Sequence, residues 1–127
     1  MSIYSDLNNV TFSGRLATEP KFYDKTEQHS AFTNVVIASN KRWKNKEGEW
    51  NSTVVYLTVY FNNGLAKYVA TLNKGDNIIA LGSLRSRKDK NDHYVVELIA
   101  DDLRVISKKQ KTADDETAEV VEIQSVQ

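Results

Sequence analysis

Apolar and polar residues alternate along most of this chain. Val10, Phe12, Gly14 and Leu16 are separated by Thr11, Ser13 and Arg15, which predicts a strand with one buried face. Glu19-Pro20 breaks that run. β-Branched residues return between Phe32 and Ser39, with Thr33, Val35, Val36 and Ile37, and predict a second strand. Val54 to Phe61 predicts a third, with apolar residues on both faces. One of those faces takes the core; the other needs a neighbour or a ligand, because a wide exposed apolar patch usually has a partner. Leu65, Val69 and Leu72 then fall at i, i+4 and i+7 and predict the one good helix, capped by Asn62-Asn63 and ended at Asn73-Lys74-Gly75-Asp76. Ile78 to Arg87 predicts a fourth strand, and Tyr94 to Ile106 a long fifth one interrupted near Asp101-Asp102. Gly14 and Gly82 lie inside strand patterns and mark bulges or bends, as a sheet needs where it coils into a small barrel.

Three strands, one helix and two strands predict an all-β fold with one short helix. The order fits a five-stranded OB-fold barrel whose helix lies between its third and fourth strands. Residues 1–107 make the domain, with an extended basic β-hairpin between the second and third strands. Residues 108–127 lack a sustained apolar period and open on Lys108-Lys109-Gln110-Lys111, which predicts a flexible, disordered tail.

Charge sharpens this division. The chain of 127 residues has zero net charge, which argues against a polyanionic partner until the distribution is considered. Residues 1–111 hold all 17 Lys and Arg against 12 Asp and Glu, a net +5, while residues 112–127 hold five acids and no base. A basic body with an acidic tail is the pattern of a chain that meets a polyanion. The charge is densest at Lys41-Arg42-Trp43-Lys44-Asn45-Lys46, four cations around a tryptophan, followed by the turn signal Glu47-Gly48-Glu49 and a second tryptophan, Trp50. Cations attract phosphates and a flat ring stacks on a base, so the segment reads as a nucleic-acid finger; the plainer reading is a solvated basic turn whose tryptophan folds back onto its sheet. A second cluster, Arg85, Arg87, Lys88 and Lys90, lies where the fourth strand runs into a loop. Arg85 and Arg87, two apart on a strand, share a face, as a phosphate track requires. A third cluster at Arg104, Lys108, Lys109 and Lys111 reads as a solvated face.

Catalytic chemistry finds little to hold. The chain has no cysteine, no GxxxxGK[ST] phosphate loop and no GxGxxG, and His29 and His93 sit in polar settings without metal-ligand spacing. Asp101 and Asp102 are adjacent on a strand and so point to opposite faces. The sequence predicts no enzyme, no metal and no cofactor. It contains no signal peptide and no apolar run of about 20 residues, so no membrane partner is expected and the cytoplasm is the expected compartment.

With these pieces in order, the chain resembles the bacterial-type single-stranded DNA-binding protein family over residues 8–107. The resemblance rests on Val10-Thr-Phe-Ser-Gly-Arg-Leu16 with Glu19-Pro20, on Asn34-Val-Val-Ile-Ala38 leading to Trp43, on Phe61 with Leu65-Ala66, on Leu72 to Arg87, and on Glu97. It implies a barrel that wraps single-stranded DNA without strong sequence preference, protecting it in replication, recombination or repair, and a homo-oligomer, tetramer first and dimer second. It places Trp43 and Phe61 at base-stacking positions and Arg85 and Arg87 at phosphate-holding ones. Arg15, Lys41, Arg42, Lys44, Lys46, Trp50, Val55 and Lys88 complete the expected DNA contacts. The chain departs from the family in three places. Val55 stands where an aromatic is usual, with Tyr56 one residue on and facing the other way. Asp89 stands where an aromatic often follows the basic pair. The chain ends Ile123-Gln-Ser-Val-Gln127 without the family's Pro-Phe tip, which points to a phage, plasmid or otherwise divergent member with little recruitment of replication or repair enzymes. The alternative role is an OB-fold adaptor of a primosome or recombination complex that works mainly through protein contacts.

Overall fold

The computed structural model describes residues 5–109; the acidic segment expected to be a flexible tail lies, from residue 110 on, outside the described residues. Six strands and one helix follow each other as β1 (Val10–Leu16), β2 (Lys21–Tyr23), β3 (Phe32–Lys44), β4 (Trp50–Asn62), α1 (Asn63–Val69), β5 (Asn77–Lys88) and β6 (Tyr94–Ser107). The strands hydrogen-bond in the order β1-β5-β6-β4-β3-β2, and an additional β1–β3 pairing closes β1, β5, β6, β4 and β3 into a barrel. This is the expected five-stranded OB architecture, with the three-residue β2 added outside β3. All pairings are antiparallel except β4–β6, which is parallel through Val59 to Leu98 and Phe61 to Ala100.

Two glycines make the closure possible. β1 pairs with β5 along its length and turns at its end to pair with β3 through Arg15 to Ala38 and Leu16 to Ile37. A Cβ at Gly14 would run into the Ala38 carbonyl. At Gly82 a Cβ would run into the Ile99 carbonyl, at the point where the β5–β6 register shifts between Leu81 and Gly82. Leu81 faces Asp102 and Gly82 faces Ala100, so Asp101 is the extra residue of a β-bulge. The interruption expected near Asp101-Asp102 is therefore a bulge within one continuous strand.

The core is built from the alternating faces that the sequence marks. Leu16 from β1, Val35 and Ile37 from β3, Val59 and Phe61 from β4, Ile78 and Ala80 from β5, and Leu98 from β6 are all buried, with Val69 and Leu72 from the helix side capping the barrel. Buried Thr33 is satisfied by donating to the Ala66 carbonyl at 2.6 Å. Buried Asp76 accepts the Asn73 amide at 2.9 Å and the Lys109 amide at 2.7 Å. The chain at residue 109 is thus tied to the turn after the helix, two residues beyond the expected end of the domain. Asn62 is the N-cap, as expected, but makes no side-chain capping hydrogen bond. The helix ends at Val69 with Ala70 as its C-cap, short of the expected stop at Asn73-Lys74-Gly75-Asp76, so Leu72 packs on the core from the turn beyond it.

Candidate nucleic-acid interface

Strict alternation along β3 and β4 decides which side chains share a face. Their register is unbroken from Phe32–Asn62 to Lys44–Trp50. Leu57, Val59 and Phe61 point inward, so Tyr60, Thr58, Tyr56, Val54, Ser52 and Trp50 point outward, and across the ladder so do Phe32, Val36, Arg42 and Lys44. Through the parallel ladder Tyr60 is level with Ile99, and across β5–β6 Arg85 is opposite Glu97 and Arg87 opposite Val95. One outer face therefore carries Phe32, Tyr60, Tyr56 and Trp50 beside Arg85 and Arg87.

This ordering corrects the expected stacking positions by one residue. Phe61 is wholly buried and belongs to the core, so it offers no ring face to a base. The ring on the outer face is its neighbour Tyr60. Val55 likewise points away from the Tyr60 face, while Val54 and Tyr56 share it. The two hairpin tryptophans also part: Trp43 is level with Asn51, and Trp50 with Lys44, so they lie on opposite faces. Both are exposed, Trp43 to 40% and Trp50 to 61%. Arg42 and Lys44 lie over the Trp50 ring at 5.1 and 5.6 Å from its centroid, a cation–π arrangement. Trp43 thus does not fold back into the core.

The hairpin tip is organised by Asn45. Its backbone amide donates to the Glu49 carbonyl, and its Oδ1 accepts the amides of Glu47 and Glu49 at 2.9 and 2.8 Å. Gly48 takes φ 82, which glycine adopts without penalty. Lys46 sits exposed in this turn and Lys41 on the adjoining strand.

On the sheet itself the cations are held differently. Glu97 is buried, its side chain only 3% exposed, and it accepts Arg85 Nη2 at 2.9 Å and Arg87 Nε at 3.0 Å. Both arginines remain about half exposed, so each keeps N–H groups directed to solvent. Burial alone would raise the Glu97 pKa, but hydrogen bonds from Arg85, Tyr60 and Arg87 outweigh it and hold the carboxyl below its ordinary range. Burial, and then the bond to Glu97, push the Tyr60 hydroxyl above its ordinary value. Arg85 lies over the Tyr60 ring, 5.0 Å from its centroid. Beyond Tyr60 the rings continue: Phe32 lies 5.8 Å from Tyr60 and stacks on Tyr23 at 4.7 Å. Such a face can stack unpaired bases on its rings and hold phosphates with its arginines.

The remaining expected residues lie elsewhere. Arg15 donates to the Gly75 carbonyl and is level with Asn77 at the far end of β5, eight residues and roughly 26 Å along the strand from Arg85. It does not join the face. Lys88 pairs with Asp92 at 3.4 Å and lies over Tyr94, at the tip of the β5–β6 hairpin. Asp89, where an aromatic was expected from the resemblance, accepts the amides of Asn91 and His93 and builds that turn. Among the described residues no group of three His, Cys, Asp or Glu could hold a metal ion, and no helix is long and apolar enough to cross a membrane.

Comparison with known proteins bears on the family and the fold. A family model described as the Single-strand binding protein family matches residues 7–106. The chain belongs to that family. Single-stranded DNA-binding protein 1 of Xylella fastidiosa is 31% identical over 112 residues, covering 84% of this chain and 82% of the relative. Single-stranded DNA-binding protein 2 of Chlorobaculum tepidum is 27% identical over 122 residues, covering 92% of this chain and 82% of the relative. Among solved structures, the Plasmodium falciparum SSB complex with ssDNA superposes with a TM-score of 0.68 at 19% identity, over 82% of this chain and 98% of that one. The small single-stranded DNA-binding protein of Streptomyces coelicolor gives a TM-score of 0.67 at 21% identity, over 80% and 95%. At those identities the structures bear on the fold, and they agree on the barrel.

Proposed function

We propose that this chain binds single-stranded DNA without strong sequence preference, stacking bases on Trp50, Tyr56 and Tyr60 and holding phosphates with Arg85, Arg87 and the hairpin cations. The observation that carries the reading is the single outer face that lines up these rings beside the two arginines. Unpaired bases present their faces to such rings and a duplex hides them. Family membership and the names of the relatives support the same reading. The adaptor role has no comparable feature to support it.

The protein acts as a homo-oligomer, tetramer first. Val55, Leu84 and Val96 are apolar and exposed on strands that continue past the core, an apolar surface a lone barrel leaves to water. Residues 1–107 suffice for binding, the work is done in the cytoplasm, and no catalytic step or cofactor is involved.

Quenching of tryptophan fluorescence by single-stranded and duplex DNA of equal length tests the reading. Single strands are expected to quench at far lower concentration, with log affinity falling against log salt by about 0.7 per phosphate neutralised. Equal affinity for the two would overturn it. Light scattering returning the 14.4 kDa of one chain would overturn the oligomer.

A further inference from the structure

At the end of the outer face, where β3 and β4 approach the helix, a cleft of ≈ 410 Å³ is lined by His29, Phe32, Tyr60, Asn62, Asn63 and Arg85. Its composition differs from the rest of the face. Aromatic rings are joined here by two primary amides and an imidazole. The His29 ring stands edge-on to Phe32, 5.1 Å between centroids. Its Nδ1 lies 2.7 Å from the Ser30 carbonyl, which can only accept, so Nδ1 carries the hydrogen and Nε2 is left as the second polar atom.

The amides are where sequence expected helix caps. Asn62 occupies the cap position yet spends no side-chain hydrogen bond on it. Asn63 donates only through its backbone, to the Ala31 carbonyl. Among the described residues neither side-chain amide has an intramolecular partner. Asn63 also holds φ 55, a left-handed conformation that a non-glycine residue adopts at some cost and that gathers at ligand sites. Glycine would meet that backbone requirement at least as well and would lack the amide.

We infer that this cleft seats one unstacked nucleobase and favours adenine, the rings taking its face and Asn62 and Asn63 its edge. The inference rests on the single-strand reading above. A primary amide offers a donor beside an acceptor. Adenine presents the complement on two edges, its N6 amine lying between the N1 and N7 acceptors, so it is satisfied in either orientation of stacking. Guanine shows two acceptors on one of those edges, and the pyrimidines offer a single edge and a smaller face. Arg85, lying over Tyr60, adds a planar cation to the same stack.

Short oligo-dT strands carrying one central dA, dG, dC or dT test this by fluorescence anisotropy, on the full chain and on the double variant Asn62→Ala/Asn63→Gly. Glycine at 63 suits the left-handed backbone, and both positions are exposed, so the variant keeps the fold. The wild type is expected to bind the dA strand about fivefold tighter than the all-dT strand, the lower end of what a bidentate base contact discriminates. The variant is expected to bind both alike, at the wild-type all-dT affinity. A wild type indifferent to dA would overturn the proposal. So would a dA preference that survives in the variant, because stacking strength alone would then explain it, and so would a variant that loses affinity for every strand equally. If no strand binds the wild type, the all-dT arm shows that single-strand binding itself has failed, and the cleft falls with it.

Discussion

The hairpin tip and the Glu97 face both carry arginine beside an aromatic ring, but they hold their cations in opposite ways. At the tip, Arg42 and Lys44 rest on an exposed Trp50. On the sheet, Arg85 and Arg87 are fixed by one buried carboxylate, which cancels half of their charge. The tip keeps more charge and leaves it loosely placed. The sheet gives up charge and fixes geometry. Charge alone raises affinity for any phosphate chain and falls away with salt, whereas a fixed ring and guanidinium select strands whose bases are free to stack. On the proposed reading the tip adds loosely held charge to the stacking of Trp50 while the sheet adds fixed geometry, and substitutions in each are expected to act on different measurements.

The largest effect separates two neighbouring rings. Phe61→Ala empties the barrel centre and is expected to lower stability by about 3–5 kcal/mol. Tyr60→Ala, on the outer face, is expected to cost clearly less stability, through the lost hydrogen bond to Glu97 and the contacts with Arg85 and Phe32, and to weaken DNA binding. Urea unfolding and anisotropy on the two variants decide it; a Tyr60 variant that unfolds while the Phe61 variant merely binds poorly would reverse the assignment of faces.

That one-residue distinction also marks what the sequence could and could not say. The barrel was legible because strand periodicity, a helix carrying Leu65 and Val69, and glycines 14 and 82 inside strand patterns all agree with one topology, although the helix stops before Leu72. The hairpin was legible because four cations around Trp43 have no business in a core. The orientation of β4 was not. Val54-Val55-Tyr56-Leu57-Thr58-Val59-Tyr60-Phe61 is apolar on both faces, so its period does not say which half is buried. Only the ladder, setting Val59 against Val35 and Leu98, fixes that. Glu97 was visible only as part of a resemblance; its grip on two arginines twelve and ten residues away needs the β5–β6 register. Asn before a helix usually caps it with its side chain, and nothing in the sequence says that the Asn62 amide at this cap position does not.

At the tip, Trp50→Ala is expected to cost about 1–3 kcal/mol of DNA binding, the usual worth of a base stack, with little loss of stability. Trp43→Ala, on the opposite face, is expected to cost less. Quenching titrations on the two single-tryptophan proteins check this. If Trp43 proves the larger, the strand crosses the hairpin on its other side.

On the sheet, Glu97→Gln is expected to cost about 1–2 kcal/mol of stability, discounted because both arginines are half in solvent. The pH dependence has a definite sign. Glu97 titrates below its ordinary range in the folded state, so its contribution is whole above the unfolded glutamate pKa and is lost as pH falls through the lower folded one. The difference in urea midpoint between wild type and variant should hold steady from neutral pH down to the ordinary glutamate range and shrink only below it. A difference that faded already near neutrality would mean the pair does not hold Glu97 ionised.

The smallest effect is the one most diagnostic of the division of labour. Lys44→Gln removes a tip cation that no carboxylate opposes among the described ion pairs. If Lys44 neutralises one phosphate, the log–log salt slope of binding becomes shallower by about 0.7. The ratio of single-strand to duplex affinity should change little, since the rings stay in place and only the cation over Trp50 is lost. Arg87→Gln removes a guanidinium and also leaves the Glu97 carboxylate opposed by Arg85 alone, so it is expected to reduce affinity by more than its slope change accounts for. Binding isotherms at four or more salt concentrations separate the two. Were Lys44→Gln to change the single-strand preference while leaving the slope alone, the tip would be reading the strand and not merely attracting it, and the proposed contrast between the regions would fail.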